Sequence, residues 1–371
     1  MAGATYKRVK AIVLFADLVG SSEVANSLSP EDYWIRYVSN FHAAVSIAQE
    51  KARLDRPTCR FELTGDECAI FSPWRNDKSL AVRVHEIFRF TYILKATWFI
   101  SPFNITRMSD HKTPREIAVG AHCGTLMKFN TPKLQSRYKD GPWYLGHTTN
   151  VAKRIESISR ERQHLNMCIS APIGNVITAR SDWNRGKRRG SGRNEIIYGL
   201  LEVDDPEYRR MKGIEPTVRV NEILPSWEIA RNRGTNRYDS AKRLIEAFAN
   251  EDEAMSVHIE EGKKLIVDYY ERAKRLSGDG EADVRKAVEP LIEFAQTYAH
   301  DSWSMMLAGL SLLSLAKIRG ISGQPLADRA KKTGKHLMKR LLKKMSQQEG
   351  QLSSKEQVYS APGFQRLGDV E

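Results

Sequence analysis

The chain has 371 residues, 41% of them hydrophobic, a length and composition that suit two domains with real cores. A formal charge of +13 admits nucleic acid, anionic lipid or a polyanionic small molecule as partner. The four cysteines form no Cys-x-x-Cys pair, which argues against a zinc or disulfide framework and for reduced, packed thiols.

Residues 1–6 carry neither a signal-peptide nor a lipidation pattern, so a cytosolic protein is expected. The apolar, β-branched run Ala11-Ile12-Val13-Leu14-Phe15 reads as a buried strand, and Asp17 puts a carboxylate near its end. Gly20 breaks the strand, and Ser21 or Ser22 can cap the next element. Ser29-Pro30-Glu31-Asp32 is a helix start, with Ser as cap and Pro at the first helical position. Trp34, Tyr37, Val38, Phe41, Val45 and Ala48 then recur at helical spacing, which predicts a helix covering one face of a sheet.

Residues 60–71 read as strand, tight turn, strand, with Gly65-Asp66 at the tip. A second amphipathic helix is expected over 80–93, a loop over 101–115 and a strand over 116–121. Gly146-His147-Thr148-Thr149-Asn150 reads as a loop running into a helix, on which Asn150 and Arg154 stand four apart and share a face. The order β, α, α, β, β, α, β with a mixed tail implies an α/β sandwich, helices against a largely antiparallel sheet.

Two basic clusters, Arg185 to Arg193 and Lys331 to Lys344, read as solvated surface, because no aromatic side chains are interleaved for stacking on bases. Nucleic acid is therefore not expected as a partner. The apolar stretch 305–318 falls short of the ~20 residues a membrane helix needs. Residues 227–238 read as a linker. Beyond them helical text fills 241–249, 255–276, 281–298, 303–318 and 325–345, a bundle or pair of hairpins with a tail disordered at its end.

If the strand bearing Asp17 lies beside the hairpin bearing Asp66, the two carboxylates repel unless a cation sits between them. Hard divalent ions, Mg²⁺ or Mn²⁺, suit such oxygen ligands. Taken singly, Asp17 is equally readable as a helix cap and Asp66 as a turn residue.

Taken in order, Phe15-Ala16-Asp17-Leu18-Val19-Gly20, Thr64-Gly65-Asp66, Val119-Gly120-Ala121-His122-Cys123-Gly124 and the stretch 146–154 resemble the class III nucleotide cyclases. A closing hairpin at Met211-Lys212-Gly213-Ile214 extends the likeness to residues 8–224. Within that superfamily the layout is most similar to the pyrimidine cyclases of bacterial anti-phage Pycsar systems. The resemblance implies a ferredoxin-like catalytic domain over 1–226, a linker over 227–238 and a helical region over 239–371. It also implies a homodimer with composite active sites and ring closure of a nucleoside triphosphate with loss of diphosphate. In that scheme two Mg²⁺ or Mn²⁺ ions per site are held by Asp17, Asp66 and the Leu18 carbonyl. Amides of Val19, Gly20 and Ser21 cradle phosphates, Lys212 adds a phosphate contact, and Asn150 and Arg154 come from the partner protomer to orient the ribose and stabilise the transition state.

Base choice is read from two departures. Glu62 stands where adenylate cyclases place an adenine-reading Lys; a carboxylate only accepts hydrogen bonds, which disfavours ATP. Guanylate cyclases also carry Glu there, which keeps GTP open. Trp143 leaves room for a one-ring base. Uracil, with its N3–H between two carbonyls, suits Glu62 best, so UTP is favoured and CTP is the alternative. The competing reading pairs Glu62 with Arg60 and packs Trp143 under its loop. A catalytically silent nucleotide sensor is a further alternative. If cyclic UMP forms, a separate effector protein must read it.

Overall fold

The computed structural model describes residues 5–54, 59–130, 143–161, 166–178, 201–204, 206–225, 246, 253–277, 284–300, 302–318 and 321–359. Its centre is β1 (Thr5–Leu18), paired antiparallel along one edge with β3 (Glu67–Trp74) and along the other with β4 (Ile117–Asn130). With β2 (Arg60–Thr64) hairpinned to β3, the order β4-β1-β3-β2 is the split βαβ arrangement of a ferredoxin-like sheet. The sheet then continues through β6 (Met167–Ser170), parallel to β4, to β9 (Ile214–Pro225) and β7 (Leu201–Val203). Two short strands lie off this path: β5 (Trp143–Leu145) on β4, and β8 (Glu207–Met211) on β9. This is the expected fold class, a nine-stranded and mainly antiparallel sheet covered by helices, followed by a helical C-terminal region.

Strand alternation sorts the side chains of β1 into two faces. Ile12, Leu14, Ala16 and Leu18 join the large core beneath α3 (Ser39–Lys51) and α4 (Asp77–Phe99). Ala11, Val13 and Phe15 join a small cluster with Ala69, Phe71, Leu126, Tyr144 and Ala152 on the opposite face. Asp17 continues that second face, which is thinly covered.

Its cover is α6 (His147–Ser159), pressed onto β4 where Gly120 and Gly124 leave room. A Cβ on Gly120 would come within 2.0 Å of the Glu156 backbone nitrogen. No side chain fits there, so the glycine sets the approach of helix to strand.

Before α3, α1 (Ser21–Ser27) and α2 (Pro30–Asp32) lead into a π-helical segment, Tyr33–Val38. Ser29 Oγ accepts the Asp32 N–H at 3.1 Å, the cap expected. The helix before it is capped otherwise: Gly20, in the left-handed region at φ 76°, is its N-cap, with no side-chain bond from Ser21 or Ser22. The π turn also rotates the apolar stripe out of phase, so Tyr37 and Phe41 are fully buried while Trp34 is half exposed. The expected loop 101–115 contains α5 (Pro102–Ser109), capped by Ser101 Oγ with Pro at N1. This is the same Ser-Pro start as at residue 29, and it lies inside the stretch expected as a loop.

The C-terminal helices are α8 (Glu253–Ser277), α9 (Val288–Thr297), α10 (Ser302–Leu315) and α11 (Pro325–Tyr359), after α7 (Ala171–Thr178) in the sheet region. They pack on the outer side of α3 and α5 and share the large core. Tyr270 donates to the Ile100 carbonyl at 2.9 Å, Arg272 to Ser46 at 2.7 Å, and Lys51 pairs with Asp268 at 2.8 Å. Helix α11 runs on past residue 345, so the first part of the expected tail is helical. The linker 227–238, nearly all of the helix expected at 241–249, and the Arg185 to Arg193 cluster lie outside the described residues. Among the described residues no helix is long and apolar enough to cross a membrane.

Candidate active site

Pairing brings the two aspartates together. Asp17 lies opposite Glu67 in the β1–β3 ladder, and the Leu18 N–H donates to the Asp66 carbonyl at 3.3 Å. Asp66 therefore stands at the two-residue turn beside the end of β1, with Gly65 at φ 60° supplying the left-handed step. His42 Nε2 meets the Gly65 carbonyl at 2.8 Å and ties the turn to α3.

Asp17 is nearly buried, at 8% exposure, and is gripped by two cations from α6 and the residue just after it. Lys153 Nζ lies 3.2 Å from Asp17 Oδ2, and Arg160 donates to the same oxygen. Lys153 also pairs with Glu67 and reaches Glu156 Oε2 at 3.0 Å, while Arg160 Nε donates to Glu156 Oε1 at 2.6 Å. Glu156 is fully buried, and the network of Asp17, Glu67, Lys153, Glu156 and Arg160 sets two partly exposed cations against its charge and that of Asp17. Burial pushes the Asp17 carboxyl up to about 6, with Arg160 and Lys153 pulling it down and the charges of Glu156 and Asp66 pushing it further up.

Lys153, Glu156 and Arg160 were not singled out from the sequence. The signal was present: at i, i+3 and i+7 they form a stripe on the helix face other than that of Asn150 and Arg154.

Asn150 and Arg154 are exposed, and neither has an ion-pair or hydrogen-bond partner among the described residues. The structure thus does not bring them to the Asp17 of their own chain, whose cations come from the other face of α6. Lys212 is at the exposed β8–β9 turn, flanked by Met211 and Ile214, which pack with Val151 and Ile155 of α6. It stands beside α6 and makes no described contact with Asp17 or Asp66.

At the start of α1 the Val19 N–H is already donated to the Glu116 carbonyl at 2.9 Å. Val19 therefore drops out of the expected cradle, while the backbone N–H groups of Gly20, Ser21 and Ser22 have no turn or loop partner among the described residues.

Glu62 and Trp143 do come together, through a residue between them. Arg60 Nε lies 2.6 Å from Glu62 Oε1, and the Arg60 guanidinium stands 5.1 Å from the centroid of the Trp143 ring. The competing Arg60–Glu62 pair is therefore formed, and Trp143 is partly buried with its Nε1–H unpartnered among the described residues.

The donor set fits a hard divalent ion. Asp17, Asp66 and the Leu18 carbonyl offer oxygens only, and both cationic side chains fall on Oδ2 of Asp17. Among the described residues no group of three or more His, Cys, Asp or Glu could hold a metal alone. Mg²⁺ and Mn²⁺ are commonly held by one or two carboxylates together with substrate phosphates.

No protein-family model matches the sequence, and no curated protein does. Among solved structures, the chain is similar to the adenylyl cyclase CyaB from P. aeruginosa at 17% identity, over 60% of this chain and 97% of that one, with a TM-score of 0.43. It is also similar to the guanylyl cyclase Cya2, at 15% identity over 58% and 92%, TM-score 0.41. A third is the catalytic core of a rhodopsin-guanylyl cyclase with converted specificity, in complex with ATPαS, at 13% identity over 60% and 99%, TM-score 0.38.

Proposed function

We propose that the chain is a metal-dependent nucleotidyl cyclase of class III type that converts UTP to 3′,5′-cyclic UMP and diphosphate. It works as a head-to-tail homodimer in the cytoplasm, in bacterial anti-phage defence of the Pycsar kind, where a separate effector reads the cyclic nucleotide. One observation carries the reading: α6 turns Lys153 and Glu156 toward the Asp17 of its own chain and leaves Asn150 and Arg154 exposed, available to a second copy.

Asp17, Asp66 and the Leu18 carbonyl would hold two Mg²⁺ or Mn²⁺ ions, which when bound supply activation of the ribose 3′-hydroxyl and neutralise the leaving diphosphate. The amides of Gly20, Ser21 and Ser22 orient the terminal phosphates. Arg154 from the partner protomer meets charge that builds on the α-phosphoryl group, Asn150 holds the ribose, and Lys212, beside them, adds a phosphate contact. In the UTP reading Glu62 accepts the uracil N3–H while Arg60, already fixed beside it, donates to a flanking carbonyl; Trp143 backs the ring. Cytidine or guanosine triphosphate is the alternative substrate, and a silent nucleotide sensor the alternative role.

Incubation with ATP, GTP, CTP and UTP in parallel, with Mn²⁺ or Mg²⁺ and an Asp66→Ala control, decides among these by mass spectrometry. Cyclic UMP that disappears in the control is the expected result. Cyclic CMP or cyclic GMP would move the substrate, and no product from any nucleotide would favour the sensor.

A further inference from the structure

Behind the Gly20 turn lies a cavity that the cyclase reading does not use. It has a volume of about 540 Å³ and opens between α1, the π-helical segment, α5 and Ala273 of α8. Small-molecule sites commonly fall in the range of ~300–1,000 Å³. Leu28, Ile35 and Phe103 give it an apolar wall, and Arg36, Arg107, Lys112 and Arg115 outnumber Glu23 and Asp110 around it.

The four cations are not equally engaged. Arg36 is paired with Asp32 at 2.9 Å, and Lys112 with Asp110 at 3.4 Å. Arg115 pairs with Glu23 at 2.5 Å through one terminal nitrogen, and its buried Nε–H has no partner among the described residues. Arg107 donates Nε to the Thr113 carbonyl at 2.9 Å and has no ion pair among the described residues. Burial and the neighbouring Arg115 charge both press Arg107 toward losing its proton. Arg107, without an ion pair among the described residues, and Arg115 line the same cavity, a basic wall that suits an anion.

Arg115 is also held in place. Its carbonyl accepts from Trp98 Nε1 at 2.7 Å and from Asn104 Nδ2 at 3.1 Å, and its N–H donates to Asn104 Oδ1 at 2.8 Å. The guanidinium so positioned lies against Gly20, where an added Cβ would stand 2.4 Å from Nη1. One side of Arg115 thus faces the cavity and another the turn assigned to the substrate phosphates.

We propose that this cavity binds a small phosphorylated organic molecule, its phosphate on Arg107 and Arg115 and its apolar part on Phe103, Leu28 and Ile35, and that occupancy is transmitted through Arg115 to the Gly20 turn. The binding half stands on the cavity alone; the regulatory half rests on the cyclase reading. Phosphate is favoured over carboxylate because a dianion with three free oxygens can meet Arg107 and still compete with Glu23 for Arg115. The C-terminal helix α8 contributes to the wall, so the ligand also touches the region whose role the sequence leaves open.

Calorimetric titration of the full-length protein with phenyl phosphate, benzoate and phenol tests the binding half. Phenyl phosphate is expected to bind, at least tenfold more tightly than benzoate, with phenol giving no heat. Arg107→Gln should weaken phenyl phosphate at least tenfold, Thr106→Trp at the mouth should do the same by obstruction, and Asp66→Ala should leave it unchanged. Circular dichroism checks each variant's fold, and the two cavity variants guard against failure of either one. No binding to the wild type, or binding lost in Asp66→Ala and kept in both cavity variants, would overturn the site. Saturating phenyl phosphate should change the rate of cyclic nucleotide formation at least twofold in the wild type and not in Arg107→Gln; an unchanged wild-type rate overturns the regulatory half alone. Should no nucleotide be cyclised, the calorimetry still decides the cavity.

Discussion

The two faces of α6 do opposite things with charge. The inward one carries Lys153 and Glu156, which with Arg160 just beyond the helix are locked into a network with Asp17 and Glu67 around a fully buried carboxylate. The outward one carries Asn150 and Arg154, exposed and without partners among the described residues. The inward face fixes Asp17; the outward face is, in the proposed reading, available to a second copy.

The comparison breaks first if α6 is lifted. Gly120→Ala drives a methyl group into the Glu156 backbone, which cannot yield as a flexible side-chain end would. The expected outcome is a loss of about 4 kcal/mol or more, or no soluble folded protein, read by thermal or urea unfolding.

A smaller effect is expected from Lys153→Met. It leaves Glu156 with Arg160 alone and removes the cation from Glu67, so stability should fall by roughly 1–3 kcal/mol, less than for a fully buried pair because Lys153 is about a third exposed. Unfolding should show that loss, whereas an exposed ion pair of no consequence would leave the midpoint unchanged.

The smallest effect is a dependence on pH. The Asp17 carboxyl is raised to about 6, so it takes up a proton as pH falls through that value, earlier than an ordinary carboxylate. A protonated carboxyl does not hold a divalent ion. Apparent Mn²⁺ affinity, measured by paramagnetic resonance or calorimetry without nucleotide, should be level above pH 6 and fall about tenfold per unit below it. A break near pH 4 would mean that Lys153 and Arg160 outweigh burial.

Much of this was readable from the chain, for physical reasons that differ by element. The five apolar residues ending at Phe15 and the Gly65-Asp66 turn are local signals, and the structure has both where expected. So is the Ser29 cap. Residues 102–109 were missed because Pro102 serves equally to end one helix and to start another, and only the Ser101 bond decides it. Trp34 was misplaced because one π turn shifts the phase of every residue before it, and spacing alone does not show where a helix is overwound or underwound. Lys153, Glu156 and Arg160 were legible as a charged stripe but not as a network, since that depends on which face of α6 meets β1, and that is set by two glycines on β4. The Arg60–Glu62 pair was visible as a competing reading to base recognition by Glu62, and that pair is formed.

The division of α6 between two active sites is tested most directly by mixing two inactive variants, Asp17→Ala and Arg154→Ala. Each alone should lose at least ~100-fold in turnover, by comparison with removal of positioned transition-state charge. Co-expressed in equal amounts, they should form mixed dimers in which one of the two sites has both its carboxylates and its arginine. Activity should then recover to roughly a quarter of wild type, as random pairing of a two-fold dimer requires. A mixture no more active than its components would contradict the account, placing Asp17 and Arg154 in one chain's site and leaving the outward face of α6 without the partner inferred for it.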